Sequence, residues 1–243
     1  MKYTVIIPAR FDSTRLPGKL LKEIHGKSLL QRTYENACKS KAEEVIIATS
    51  DAVIADHAEG FGAEVIITCD HDNGTSRVVE VVNNHFFDIG DIVVNVQADE
   101  PMISPQAIDQ VAEMLTVNGA NIATLCEPIT DIEDYYDTNC VKVVRDATNR
   151  AQYFSRAPIP HFRDREVDLG LCYRHVGIYA YRSYVLQRNM NTVLPNANAE
   201  MLEQLNFFNG LNNIQVEEAC APTGYGVDTQ DDLERVRLEF EHD

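Results

Sequence analysis

No apolar run in this sequence approaches the roughly 20 residues that a membrane-crossing helix needs, so no transmembrane span is expected. The basic start, apolar centre and small-residue cleavage site of a secretory leader are also missing. The chain enters a strand almost at once, and a cytoplasmic protein is expected. Cations are scarce: 21 Lys and Arg stand against 38 Asp and Glu, a formal net charge of -17. Such a surface repels nucleic-acid backbones and anionic membranes over most of its area, so neither is an expected partner. The six cysteines (Cys38, Cys69, Cys126, Cys140, Cys172 and Cys220) are scattered and form no Cys-x-x-Cys pair. That pattern signals neither structural zinc nor a disulfide framework and leaves reduced thiols. Internal repeats, low-complexity segments and long linkers are absent too. At 243 residues the chain can bury a full core. One α/β domain over residues 1–243 is preferred to two small ones.

Against this acidic background one cationic loop stands out. Tyr3 to Ile7 reads as a buried strand, and it runs into Pro8-Ala-Arg10-Phe-Asp-Ser-Thr-Arg15-Leu-Pro-Gly18-Lys19. Backbone N–H groups in such a loop can point at phosphate oxygens while Arg10, Arg15 and Lys19 supply charge. Three solvated surface cations would be the plainer reading. Their place directly after an apolar strand, beside Gly18 and two prolines, makes it the weaker one. The loop is neither a Walker A sequence nor a G-x-G-x-x-G fingerprint, which disfavours a dinucleotide-dependent redox enzyme.

Strands and helices alternate through the first half. Helical spacing predicts helices over Ser28 to Ser40, Ala52 to Phe61, Thr75 to Asn84 and Pro105 to Leu115. Short apolar runs predict strands over Glu44 to Thr49, Ala63 to Ile67, Asp91 to Val96 and Asn121 to Cys126. Near-continuous apolar strands between helices indicate a mostly parallel sheet covered on both faces. Ligands bind such sheets outside the carboxyl ends of the strands. That rule gathers the Pro8–Lys19, Asp70–Thr75 and Gln97–Pro101 loops around one crevice. The second half is less regular and reads as a smaller β-rich subregion. Strands are predicted over Val141 to Arg145, Ala151 to Ser155, His175 to Tyr181 and Ile214 to Glu217. Helices are predicted over Met201 to Phe208 and Thr229 to Phe240.

Several residues could carry chemistry. Asp99, just past a predicted central strand, suits Mg²⁺, which takes a few carboxylates plus phosphate oxygens. It suits a turn or a helix cap equally well. Asp228, after Gly224 and Gly226, reads first as the cap of the last helix. Gly74 and Arg77 lie in a polar turn that could face a nucleobase or a phosphate. Arg156 sits between a strand and a proline-stiffened turn. His175, Gly177, Tyr179 and Tyr181 fall on one face of a strand. Glu203 and Gln204 stand between Leu202 and Leu205, where a solvated helix face is the simpler reading.

Taken together, these segments resemble the 3-deoxy-manno-octulosonate (Kdo) cytidylyltransferase family. The matching pieces are Ile6-Ile-Pro-Ala-Arg10, Ser13-Thr-Arg15-Leu-Pro-Gly-Lys19, Gly74-Thr75, Val94-Asn-Val-Gln97, Asp99-Glu-Pro101, Tyr153-Phe-Ser-Arg156-Ala, Ile159-Pro160, Arg174-His175-Val-Gly-Ile-Tyr179, Leu202-Glu-Gln-Leu205 and Gly226-Val-Asp228-Thr. They occur in the family's order and span nearly the whole chain. The resemblance implies a nucleotide-diphosphosugar-transferase-like α/β fold and a homodimer. It implies that CTP and Kdo give CMP-Kdo and pyrophosphate, for lipopolysaccharide. By position, Arg10 and Lys19 would bind the triphosphate, with Arg15 supporting their loop and Gly74, Arg77 and Gln97 near the nucleotide. Asp99 and Asp228 would hold Mg²⁺, which overrides the capping reading of Asp228. Arg156, His175, Tyr179, Glu203 and Gln204 would form the sugar pocket, with Arg156 on the carboxylate. No general base is evident.

The chain departs from the family in three places. Ala98 stands where the family usually has Gly, Ser76 stands where it has an acid, and the stretch between Arg165 and Tyr173 is short. These changes are expected to tune affinity or sugar choice. A cytidylyltransferase for a related acid sugar, such as an amino-substituted Kdo or a sialic acid, is the nearest rival. A non-catalytic paralogue that binds CTP or a CMP-sugar is the other.

Overall fold

A computed structural model of the protein describes residues 1–85, 87–117, 119–188, 193–209 and 212–240. The first strand, β1 (Thr4–Pro8), leads through the cationic loop to a hairpin of β2 (Glu23–Ile24) and β3 (Lys27–Ser28). Helices and strands then alternate: α1 (Leu29–Ala37), β4 (Glu44–Thr49), α2 (Ala52–Gly60), β5 (Glu64–Ile67), α3 (Gly74–Asn84), β6 (Ile92–Asn95) and α4 (Pro105–Val117). The second half holds β7 (Ile122–Pro128), α5 (Ile132–Tyr136), β8 (Lys142–Arg145), β9 (Ala151–Ser155), β10 (Tyr173–Arg182), α6 (Ser183–Arg188), α7 (Pro195–Glu200), β11 (Ile214–Glu218) and α8 (Gln230–Phe240).

The main sheet runs β11-β7-β10-β6-β1-β4-β5. Strand β10 is antiparallel to both neighbours, β6 and β7, and every other pair on this path is parallel. Strands β8 and β9 pair with each other, and β8 joins the sheet at β10, which forms the β-rich arm. Both faces are covered. Val5 and Ile7 point into the core beneath α1, α4 and α8, whereas Ile6 points into the core beneath α3 and α6. That alternation is the period-2 geometry of a strand. It explains why a strand buried on both sides must be apolar at every position. Among the described residues, no helix is long and apolar enough to cross a membrane.

Two readings of the sequence differ from the structure. No helix runs from Met201 to Phe208. Helix α7 ends at Glu200, Met201 turns left-handed at φ 53°, and a 3₁₀ turn covers Glu203–Phe208. Leu202 and Leu205 stand three residues apart, a spacing that either helix type satisfies, so periodicity could not separate them. Asp228 does not cap α8. The box is formed by Thr229 and Asp232: Asp232 N–H donates to Thr229 Oγ1 at 3.2 Å, and Thr229 N–H donates to Asp232 Oδ2 at 2.8 Å. This is the reciprocal arrangement of a capping box, with Asp at its third position. It leaves the Asp228 carboxylate free for the crevice.

Candidate active site

The crevice lies at the carboxyl ends of β1 and β6, where it holds two adjoining cavities. The first, of about 280 Å³, is lined by the β1 loop from Pro8 to Lys19 (including Arg10 and Arg15), by His71 to Gly74, and by Arg77, Gln97, Asp99, Glu203 and Asp228. The second, of about 220 Å³, is lined by Asn95, Gln97, His175, Gly177, Tyr179, Tyr181, Glu203, Gln204 and Phe207, among others. Gly74, Gln97 and Glu203 belong to both. The two cavities therefore meet at one junction.

The loop carrying Asp99 is anchored from α1. Thr33 Oγ1 donates to Ala98 O at 3.0 Å and Asn36 Nδ2 donates to Pro101 O at 2.5 Å. Val227 N–H then donates to Asp99 O at 2.9 Å, which brings the Asp228 segment alongside. Lys19 closes the arrangement. Its Nζ donates to Asp99 Oδ2 at 2.5 Å, Asp228 Oδ1 at 2.9 Å and Val227 O at 3.0 Å. An ammonium has three protons, so all of its donors are engaged. Burial alone would lower the Lys19 pKa, but Asp99 and then Asp228 outweigh it, and the pKa is raised. Arg15 Nη2 pairs with the other Asp228 oxygen at 2.8 Å.

Arg10 is less committed: among the described residues its one hydrogen bond is a long one, 3.5 Å from Nη1 to Asp72 O. Helix α3 opens on the same cavity. Asn73 Oδ1 caps it by accepting from Ser76 N–H at 2.8 Å, and the first-turn amides of a helix have no intrahelical partner. Gly74 permits close approach there, since a Cβ would lie 3.1 Å from Pro8 Cγ. Arg77 is 2% exposed and donates to Thr68 Oγ1 at 2.7 Å. Burial lowers its pKa, and Asp51, Asp70 and Glu80 offset part of that. Ala98 is itself buried, 5% exposed, at the cavity wall.

In the second cavity, Glu203 Oε2 accepts from Thr75 Oγ1 at 2.9 Å. Burial raises the Glu203 pKa against the lowering pull of Thr75 and Arg10. Burial and then the Arg174 guanidinium push His175 down to about 3, so its imidazole is neutral. The Tyr179 hydroxyl is buried without a hydrogen-bond partner among the described residues. Arg156 is not among the residues lining either cavity. Its guanidinium donates to three carbonyls: Glu200 O at 2.9 Å, Thr138 O at 3.0 Å and Met201 O at 3.5 Å.

Sequence reasoning singled out none of Asn95, Thr75, His71 and Glu100, although it placed the loops of the last three at the crevice. Asn95 was within reach, because it sits two residues before Gln97 and strand period 2 puts both on one face. Glu100 had no local signal. Burial and the neighbouring Asp99 charge raise its carboxyl to about 8, with Arg174 opposing. Gly226 makes room for it, since a Cβ there would lie 2.9 Å from Glu100 Oε1. A raised carboxyl pKa means that the folded state holds a proton that the unfolded state has lost. Stability then falls as pH rises from about 4.5 to about 8 and levels off above. Glu100→Gln is expected to flatten that fall, stabilising the protein by ~1–3 kcal/mol at pH 9 and by little at pH 4. Urea unfolding at both pH values, without divalent metal, measures it; equal shifts at both would disprove the assignment.

Asp99 and Asp228 also meet the requirement for a divalent cation. They converge on one cationic centre and present hard oxygen donors, and Mg²⁺ needs only one or two carboxylates when phosphate oxygens complete its shell. Among the described residues no cluster of three or more His, Cys, Asp or Glu forms a closed metal cage.

A family profile described as Cytidylyltransferase matches residues 4–214. The 3-deoxy-manno-octulosonate cytidylyltransferase of Ruthia magnifica subsp. Calyptogena magnifica is 50% identical over 243 residues, covering 99% of this chain and 100% of that protein. That of Francisella tularensis subsp. holarctica (strain LVS) is 48% identical, with 97% of each chain covered. The solved structure of CMP:2-keto-3-deoxy-manno-octonic acid synthetase complexed with CTP superposes with a TM-score of 0.91 at 39% identity, over 100% of this chain and 99% of that one. The chain belongs to the cytidylyltransferase family, among the 3-deoxy-manno-octulosonate cytidylyltransferases.

Proposed function

We propose that this enzyme couples CTP to Kdo, giving CMP-Kdo and pyrophosphate. The observation that carries the reading is the junction of a cationic cavity with a hydroxyl-lined one at Gly74, Gln97 and Glu203. The anomeric hydroxyl of the sugar attacks the α-phosphorus in line, and its proton ends on the departing pyrophosphate. The bond from that phosphorus to the bridging oxygen breaks, and pyrophosphate leaves. Both substrates are anions, so the site must cancel repulsion before it can orient them. Arg10, Arg15 and the first-turn amides of α3 face the triphosphate. Asp99 and Asp228 would hold Mg²⁺, which when bound neutralises developing phosphate charge. Lys19 would turn from those carboxylates to the phosphates, and Arg77 would support the nucleotide from beneath.

His175, Tyr179, Glu203 and Gln204 would hold the sugar. Arg156 would reach its carboxylate by exchanging its longest bond, the one to Met201 O. In this reading residues 1–243 act as one domain in a cytoplasmic homodimer, supplying lipopolysaccharide synthesis. Pyrophosphate release from CTP and Mg²⁺, with and without Kdo, tests the proposal. Release that depends on Kdo supports it. Release only with another acid sugar would move the assignment to that sugar. CTP binding without turnover on any acid sugar would overturn the transferase reading in favour of a binding protein.

A further inference from the structure

Thr124 lies on β7, fully buried, directly opposite Tyr179 on β10. The pairing of these strands is interrupted between Val176 and Tyr179. Thr124 Oγ1 sits inside that interruption, 2.7 Å from Ile178 O, 3.1 Å from Val176 O and 3.1 Å from His175 Nε2. A hydroxyl has one proton and two acceptor sites, whereas a carbonyl oxygen can only accept. The Thr124 proton therefore goes to the carbonyls, the shortest contact being Ile178 O. What remains toward His175 is an oxygen lone pair, which requires a proton on Nε2.

We propose that Thr124 is a positioning residue for the second cavity: it fixes His175 with its proton on Nε2, so that the Nδ1 lone pair accepts from a hydroxyl of the bound acid sugar. The proposal rests on the reading of this cavity as the sugar site. The imidazole is neutral, so one nitrogen must be bare. Nδ1 makes no hydrogen bond among the described residues, and the ring lines the cavity. Phe154 and Tyr179 flank the ring at 5.0 and 5.3 Å between centroids, which restricts its rotation. Tyr179 lines the same cavity, and its hydroxyl is buried there without a hydrogen-bond partner among the described residues. The subsite thus offers one fixed acceptor beside one donor. That combination suits a polyhydroxylated ligand, whose hydroxyls both give and take a proton. It disfavours a ligand that presents only acceptors at this point.

The test uses the full-length enzyme labelled with ¹⁵N-histidine. Long-range ¹H–¹⁵N correlation is expected to show His175 with a protonated Nε2 and a bare Nδ1 before any substrate is added. Thr124→Val, which removes the hydroxyl and keeps the shape, is expected to shift His175 toward the Nδ1–H form or a mixture. It should also raise KM for the sugar about tenfold, the loss of about one hydrogen bond, with KM for CTP within twofold. Thr124→Ser is expected to restore both. A His175 protonated on Nδ1 in the unaltered enzyme would overturn the proposal. So would a Thr124→Val variant with unchanged tautomer and sugar KM, or equal losses for both substrates that Thr124→Ser fails to rescue. If the unaltered enzyme turns over no acid sugar, the sugar-site reading fails. The nitrogen spectrum then still decides the Thr124–His175 link by itself.

Discussion

Asp99→Asn is expected to lower turnover on the order of 1,000-fold, or ~4 kcal/mol of transition-state stabilisation, while leaving the fold intact. The substitution is close to isosteric. The Asp99 backbone is held independently, by Val227 N–H on its carbonyl and by Thr33 and Asn36 on Ala98 and Pro101. The side chain is only part-buried, so its loss exposes no cavity. What changes is charge. Lys19 keeps Asp228 but loses half of its anionic surround, and the proposed cation site loses one of two carboxylates. Glu100 loses its like-charged neighbour, so stability above neutral pH is expected to hold or rise. That opposition between activity and stability distinguishes a chemical role from a structural one. Pyrophosphate release over a Mg²⁺ titration, paired with urea unfolding at pH 8, measures both. Turnover within tenfold of the unaltered enzyme, at the same Mg²⁺ dependence, would remove Asp99 from the metal site.

The parts of this site that were legible in the sequence are those fixed by strand ends. Val5 to Ile7 and Val93 to Val94 can only be strands buried on both faces, and residues just past a parallel strand's carboxyl end must border the crevice. Arg10, Lys19, Gln97 and Asp99 came from that rule, and the resemblance added the pairing of Asp99 with Asp228. The cap of α8 was misplaced by one residue, because Asp228, Thr229 and Asp232 are all competent cap chemistry and only the backbone geometry chooses. Arg156 shows the opposite limit. Its partners lie at positions 138, 200 and 201, and no local pattern reports contacts at that separation. The junction between Thr75 and Glu203 spans 128 positions and was invisible for the same reason.

Lys142→Met is expected to destabilise the protein by ~3–5 kcal/mol, the largest effect expected away from the reacting groups. Lys142 is fully buried in β8, and its Nζ donates to Cys140 O at 2.6 Å, Asp137 O at 2.7 Å and Arg156 O at 2.8 Å. Three bonds require the ammonium form. Burial opposes that charge and lowers the pKa, so two effects compete in the variant. Methionine relieves the buried charge, but it leaves three carbonyls without their donor, at ~1–3 kcal/mol each. The three orphaned acceptors outweigh the one relieved cation. The consequence should reach the second cavity. Arg156, held by Lys142 through its carbonyl, ties Thr138 to Glu200 and Met201, and Glu200 in turn accepts from Ser155 Oγ at 2.6 Å and Arg156 N–H at 2.9 Å. This strut fixes the turn that leads into Glu203 and Gln204. A variant assayed below its unfolding midpoint is therefore expected to show a raised KM for the sugar and little change in KM for CTP. Urea unfolding and the two KM values test it together. A loss under 1 kcal/mol would mean that methionine packing compensates the carbonyls, and an unchanged sugar KM would separate the arm from the cavity wall.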